Sequence, residues 1–100
     1  MNKQRRKEIY DVIQKLQNIS GKDDLYDCIR ALENILDDED EYFSNIPENL
    51  QNSQRAYDSE NAIGTMEDVL DELNDAYDSE DQDDLIEAAE YAVDELNAII

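Results

Sequence analysis

Residues 56–100 read AYDSENAIGTMEDVLDELNDAYDSEDQDDLIEAAEYAVDELNAII. Apolar residues recur in this segment every three or four positions, which is the spacing of one face of a helix. Of its 45 residues, 16 are Asp or Glu and none is Lys, Arg or His, so its acids have no cation on the same segment to pair with. The segment is predicted to be folded, helical and acidic over its whole exposed surface.

The segment is expected to hold two helices. The third helix of the chain begins near Ser53 or Ser59, either of which could act as its N-cap. The apolar phase shifts after Tyr77, and residues 79–82 (Ser-Glu-Asp-Gln) have the form of a capping box, so a fourth helix is expected to start near Glu80. The predicted apolar stripes are Ile63, Met66, Leu70, Leu73 and Tyr77, followed by Leu85, Ala89, Val93, Leu96 and Ile100.

The first half of the chain predicts two more helices. The first covers about residues 2–19, with Ser20-Gly21 as its C-cap. Asp23 or Asp24 then caps a second helix, which runs to about residue 45 and is stopped by Pro47. Glu39 occupies a position on the apolar stripe of this second helix. Residues 46–53 form the one substantial loop, with Ile46 and Leu50 folded under the end of the hairpin.

The predicted fold is all-α. It is a small antiparallel helical bundle, or a coiled-coil-like helical hairpin, of about four helices that form a single domain over residues 1–100. The apolar content of 40% is too high for a disordered acidic chain. Because the apolar seam is narrow, a homodimer that completes its burial is an open alternative.

Charge is distributed unevenly along the chain. The chain has 28 acidic and 8 basic residues, a formal net charge of -20, yet seven of the eight bases lie within residues 1–30. A protein adapted to high salt is expected to be acidic throughout, and solubility requires far less charge than this. The basic cluster of Lys3, Arg5, Arg6 and Lys7 could fold against acids of a neighbouring helix or of a partner subunit, although a frayed and solvated cluster is the commonest outcome at a helix N-terminus. Direct binding of nucleic acid is not expected.

Several classes of function are disfavoured. With no His, one Cys and no glycine-rich loop, the sequence offers no base–nucleophile pair and no phosphate-binding loop, so we expect neither an enzyme nor a cofactor. Residues 78–84 fail as a calcium loop because Asp83 stands where glycine is needed and Ala89 where the closing Glu belongs, so no metal is expected. Cys28 is interpreted as a small core residue. No membrane span or secretory signal is recognised, which favours the cytoplasm.

The acidic surface itself is the leading functional feature. One acid per roughly 4.2 Å of helix becomes one per about 2 Å when two such helices lie side by side, close to the one charge per about 1.7 Å of duplex DNA. A groove that binds a nucleic-acid backbone could therefore bind this surface. The acidic strip chosen for this role consists of Glu67, Asp68, Asp71, Glu72, Asp75, Asp78, Asp83, Asp84, Glu87, Glu90, Asp94 and Glu95. Tyr57, Tyr77 and Tyr91 are added as aromatic anchors.

Two other functional hypotheses remain open. The acids could form a solvated face with no partner, and the chain could be a structural module that assembles with itself through its apolar seam. The predicted partner under the leading hypothesis is a nucleic-acid-binding protein.

A resemblance adds context to these inferences. Residues 39–55 (EDEYFSNIPENLQNSQR), the acidic helices that follow and the basic opening NKQRRK of residues 2–7 resemble small acidic helical proteins of Gram-positive phages and prophages. Such phage proteins include nucleic-acid mimics that disable restriction enzymes, CRISPR effectors and DNA repair or transcription proteins. The resemblance therefore implies a counter-defence inhibitor, such as an anti-CRISPR, whose partner is a nuclease or a CRISPR effector in the cytoplasm of a host cell. For the structural alternative, it implies a module that assembles within a phage particle. The Ser20-Gly21 break departs from the longer first helix of that group, so one kinked helix over the first two segments is also considered.

Overall fold

A computed structural model describes residues 1–100 and contains four α-helices and no β-strand. The first, α1 (Lys3–Gln17), begins where the Asn2 side chain accepts a hydrogen bond from the backbone N–H of Arg5 at 2.8 Å. It ends at Asn18, two residues before the predicted Ser20-Gly21 cap. The second, α2 (Lys22–Ser44), is a separate helix, and it packs against α1 as an antiparallel hairpin rather than extending it.

The start of α2 corrects the predicted cap. Gly21, not Asp23 or Asp24, is the N-cap residue, and both acids lie in the first turn, where the helix dipole favours negative charge. The Asp24 carboxylate accepts hydrogen bonds from the Ser20 hydroxyl at 2.8 Å and from the Ser20 backbone N–H at 3.0 Å. These bonds lower the pKa of Asp24. Asp24 therefore holds the turn between the helices in place from inside α2.

The far end of α2 and the loop after it are largely as predicted. The helix continues through the acidic residues 37–41 to Ser44, with Asn45 as its C-cap. A short 3₁₀ turn, Glu48–Leu50, follows Pro47. Ile46 is buried as expected, but Leu50 is 47% exposed because the 3₁₀ turn directs it away from the bundle.

The long helix α3 (Gln54–Ser79) begins at Ser53, whose side chain accepts a hydrogen bond from the N–H of Ala56. It ends at Glu80, which adopts a left-handed conformation with φ of 62°. The last helix, α4 (Gln82–Asn97), is capped by Asp81 rather than by Ser79. The break near Glu80 is confirmed, although Ile100, predicted to be buried, is 42% exposed because it lies beyond the end of α4.

The four helices form one cycle of neighbours. α1 packs on α2 and α4, and α3 packs on the same two helices, so the bundle runs up, down, up and down around a shared core. The molecule measures 47 × 21 × 19 Å, and α3 spans about 39 Å of that length at 1.5 Å per residue. The core contains 20 buried residues from all four helices, including Leu25, Leu32, Met66, Leu73 and Leu96. The all-α bundle is thereby confirmed.

One charged residue lies inside this core. Glu39 is fully buried, and its two carboxylate oxygens accept hydrogen bonds from Arg5 Nε at 2.8 Å and from the Ser59 hydroxyl at 2.5 Å. Ser59, considered above as an N-cap, is instead a buried partner of Glu39. The three residues belong to α2, α1 and α3, so a single carboxylate joins three helices at one end of the bundle.

Candidate interaction surface

All twelve residues of the acidic strip are exposed on α3 and α4, which pack side by side. Their positions differ around the two helices, because residues three and four apart share a face while intermediate residues point elsewhere. The structure therefore divides the strip into sets that face different directions, and only some of its members lie together.

The largest set lies in a groove between α3 and α4. Four strip acids, Glu72, Asp75, Asp84 and Glu87, line this α3/α4 groove together with Tyr91. Its floor is formed by Ala76 and Ala88, and its volume is about 400 Å³. Both alanines are buried, and their short side chains leave the space above them to the carboxylates of the two helices. The carboxylates consequently stand as two facing rows.

The environment of Tyr91 shows that acids other than the lining residues also lie close to the groove. Desolvation first, and then the nearby charges of Glu95, Asp68 and Glu72, raise the pKa of Tyr91. Asp68 and Glu72 belong to α3 and Glu95 to α4, so acids from both helices act on this one phenol. Six strip acids therefore share the groove or its rim, and the half-buried Tyr91 lies among them.

The remaining six strip residues do not line this groove. Glu90 and Asp94 line a second groove between α1 and α4, beside Ile86 and Val93. Four others are exposed without lining the α3/α4 groove: Glu67, Asp71, Asp78 and Asp83. The sequence did not separate these sets because it places every acid on a helix without fixing which helix is its neighbour.

The three tyrosines also have different surroundings. Tyr77 packs towards α2, where its ring centroid lies 6.1 Å from that of Tyr26 and 4.6 Å from Lys22 Nζ. Tyr57 is 73% exposed near the start of α3, far along that helix from the groove. Of the three tyrosines, only Tyr91 is brought together with the acids that were predicted to accompany it.

No ion pair neutralises the acids of α3 and α4. The three ion pairs in the protein are Arg5–Glu39, Lys7–Asp11 and Lys15–Asp27, all within α1 and α2. Within the groove, the one internal contact of a carboxylate is the short hydrogen bond that Asp84 accepts from the Ser79 hydroxyl. The charge of this surface is therefore balanced by solvent ions alone.

Of the basic cluster, only Arg5 folds back on the bundle, which is one of the predicted alternatives, whereas Lys3, Arg6 and Lys7 are exposed. Arg5 reaches Glu39 on α2, and its guanidinium carbon lies 5.1 Å from the centre of the Tyr42 ring. Sequence reasoning missed that Arg55, the single base after residue 30, joins Arg5 and Arg6 around one cleft. The sequence feature that could have indicated this cleft is Arg55 itself, an isolated cation two residues after Ser53, the N-cap of α3.

Other kinds of site are not formed. No group of three or more acidic or cysteine side chains is arranged to hold a metal ion. Cys28 is buried, and desolvation raises the pKa of its thiol to about 11. None of the helices has both the length and the apolar character of a membrane-crossing segment. No protein-family model, curated protein or solved structure matches the chain.

Proposed function

We propose that this protein is an inhibitor that binds a nucleic-acid-binding protein of a host cell through the α3/α4 groove and its acidic rim. The observation that supports this function is the set of facing carboxylates in the groove, which have no cationic partner within the protein. The target under this proposal is a nuclease or a CRISPR effector, and the inhibitor acts in the cytoplasm.

The physical basis is mimicry of a phosphate backbone. Two helices that pack at a typical separation of 8–10 Å carry two roughly parallel rows of negative charge. A cleft that binds DNA presents Lys and Arg along such rows, and binding to it releases the counter-ions that both surfaces hold. Tyr91 adds a flat apolar surface between the carboxylates, on which an arginine of the target could stack.

A second candidate function is self-assembly, and a different groove favours it. The α1/α4 groove is lined by Leu16, Ile19, Ile86, Ala89 and Val93, and Ile86 is 43% exposed. An exposed Ile beside half-buried apolar neighbours is the type of patch that a second copy of the chain covers. Under this alternative the protein is a structural module and the acids serve only to keep it soluble.

Matched charge variants test the leading proposal. The groove variant E72Q/D75N/E87Q and the outer variant E67Q/D71N/D78N each remove three negative charges from exposed positions of the same bundle. The assay measures how strongly each protein displaces labelled DNA from a purified restriction nuclease and from a purified CRISPR effector. We expect the groove variant to lose at least about tenfold in inhibition and the outer variant to lose much less.

The outcomes separate the two functions. Equal losses in both variants would show that total charge, not the groove, drives binding. Absence of DNA displacement by the wild-type protein, together with a stable dimer in analytical ultracentrifugation that I86D abolishes, would establish the self-assembling module instead. A monomer that displaces the labelled DNA, and does so less strongly as the salt concentration rises, would support the inhibitor.

A further inference from the structure

The N-terminal end of the bundle carries a second surface of opposite sign. Arg5 and Arg6 of α1 and Arg55 of α3 line one cleft of about 570 Å³, which we call the arginine cleft. Tyr42 of α2 and Asp58 of α3 complete its walls. Three of the eight basic residues of a chain with net charge -20 therefore meet at one place, although two of them are about 50 positions from the third in sequence.

The protein neutralises only part of the charge of this cleft, because Arg5 alone among its three arginines is paired, with Glu39. Arg6 and Arg55 form no ion pair. Asp58, the acid in the lining, accepts a hydrogen bond from the Gln54 side chain at 2.7 Å instead of pairing with an arginine. The charges of Arg5 and Glu39 compensate each other, so Arg6 and Arg55 face Asp58 alone, and the cleft keeps a net positive charge that a bound anion would balance.

Arg5 is held in a fixed orientation. Its side chain is only 12% exposed, its Nε donates to buried Glu39 at 2.8 Å, and its guanidinium lies over the Tyr42 ring at 5.1 Å. Since Nε alone makes the bond to Glu39, the two Nη groups keep their donors for another acceptor, and no buried side-chain polar atom of the protein lacks a partner. The Nη groups therefore meet solvent, and a fixed guanidinium is well suited to bind an oxyanion through two parallel hydrogen bonds.

We propose that the arginine cleft binds a phosphate group, with Arg5 as the fixed donor and Arg6 and Arg55 as the flanking cations. A phosphate is favoured over a carboxylate because guanidinium groups from three positions offer more donors than two carboxylate oxygens accept. A long polyanion such as DNA is disfavoured, since most of the surrounding surface is acidic and would repel its flanking phosphates. This site is separate from the α3/α4 groove and does not depend on its function.

The test is titration of the full chain with inorganic phosphate and, separately, with adenosine monophosphate, followed by two-dimensional NMR of the backbone amides. Sodium chloride at matched ionic strength is the reference. We expect saturable shifts centred on Arg5, Arg6 and Arg55. Equal affinity for both probes would identify free phosphate as the ligand, and tighter binding of the nucleotide would identify a phosphate carried by an organic molecule.

Two variants control for the fold and for charge. R55Q removes one cleft cation that has no ion pair, so the bundle is retained, and it should weaken phosphate binding about tenfold, the typical loss of one charged hydrogen bond. R30Q removes an exposed cation of α2 that lies outside the cleft and should leave binding unchanged. Shifts that do not saturate, or an equal loss in R55Q and R30Q, would overturn the proposal.

Discussion

Glu39 Oε1 lies 2.8 Å from Arg5 Nε across the interface of α1 and α2, at a position of α2 where the helical repeat calls for an apolar side chain. A buried carboxylate is costly unless it is paired and hydrogen-bonded, and here both of its oxygens are satisfied. Glu39 consequently links α1, α2 and α3 through two hydrogen bonds inside the bundle.

The first prediction concerns this pair. R5M leaves the Glu39 charge buried with only Ser59 as a partner, and we expect it to lower the free energy of unfolding by about 3–5 kcal/mol. E39L should cost less, about 1–3 kcal/mol, because the side chain of Arg5 retains some solvent contact. The double variant E39L/R5M should recover most of the loss. Urea denaturation of all four proteins measures this, and strictly additive effects would contradict the coupling.

The second prediction concerns the junction of α3 and α4. Glu80 has a φ of 62°, a conformation that costs a non-glycine residue about 1 kcal/mol and costs glycine almost nothing. E80G should therefore be about 1 kcal/mol more stable than E80A, which removes the same charge and keeps the Cβ. Thermal denaturation of the pair isolates the backbone effect, and equal melting temperatures would show that the junction is not strained.

The third prediction compares the two glycines of the chain. Gly64 lies inside α3, and a Cβ built there has no neighbour within 4 Å, so G64A should raise the free energy of unfolding by about 0.5–1 kcal/mol. Gly21 is equally open but is the N-cap of α2, where alanine is a poor substitute. G21A should accordingly be destabilising. Opposite signs in chemical denaturation are the expected result, and a loss of stability in G64A would refute it.

The fourth prediction concerns the thiol of Cys28. Its pKa is raised from 9.0 to about 11, chiefly by desolvation, so the folded state favours the neutral thiol. The resulting contribution to stability is complete below pH 9 and is lost as the pH rises through about 11. Alkylation by iodoacetamide at about pH 8.5 should be much slower in the native protein than in urea. Similar rates would place the thiol at the surface.

The fifth prediction follows from the unpaired acids of α3 and α4. Between about 0.01 and 0.15 M salt the screening length falls from about 30 to about 8 Å, which reduces repulsion among them. If screening contributes about 1 kcal/mol, the melting temperature should rise by about 4–8 °C. The variant E67Q/D71N/D78N should start higher in low salt and rise less. A melting temperature that does not change with salt would mean that these carboxylates do not repel one another appreciably.

The sequence by itself determined the helices, because apolar spacing, Pro47 and the shift in phase after Tyr77 are local signals. It also determined the single sign of charge on residues 56–100, since no cation exists there. The sequence did not identify the exact N-cap residues of α2 and α4. Gly21, Ser53 and Asp81 act as N-caps. The nearby Ser20 donates a hydrogen bond to Asp24 instead, and Ser79 donates one to Asp84.

Only the tertiary structure decided which charges meet. Glu72 and Glu87 come together because α3 packs on α4, and Glu90 and Asp94 are separated from them because the other side of α4 packs on α1. Arg55 joins Arg5, and Ser59 joins Glu39, because the start of α3 returns to the end of the bundle where α1 begins. A helical repeat assigns each residue to a face, but the order in which helices surround the core assigns each face its neighbour.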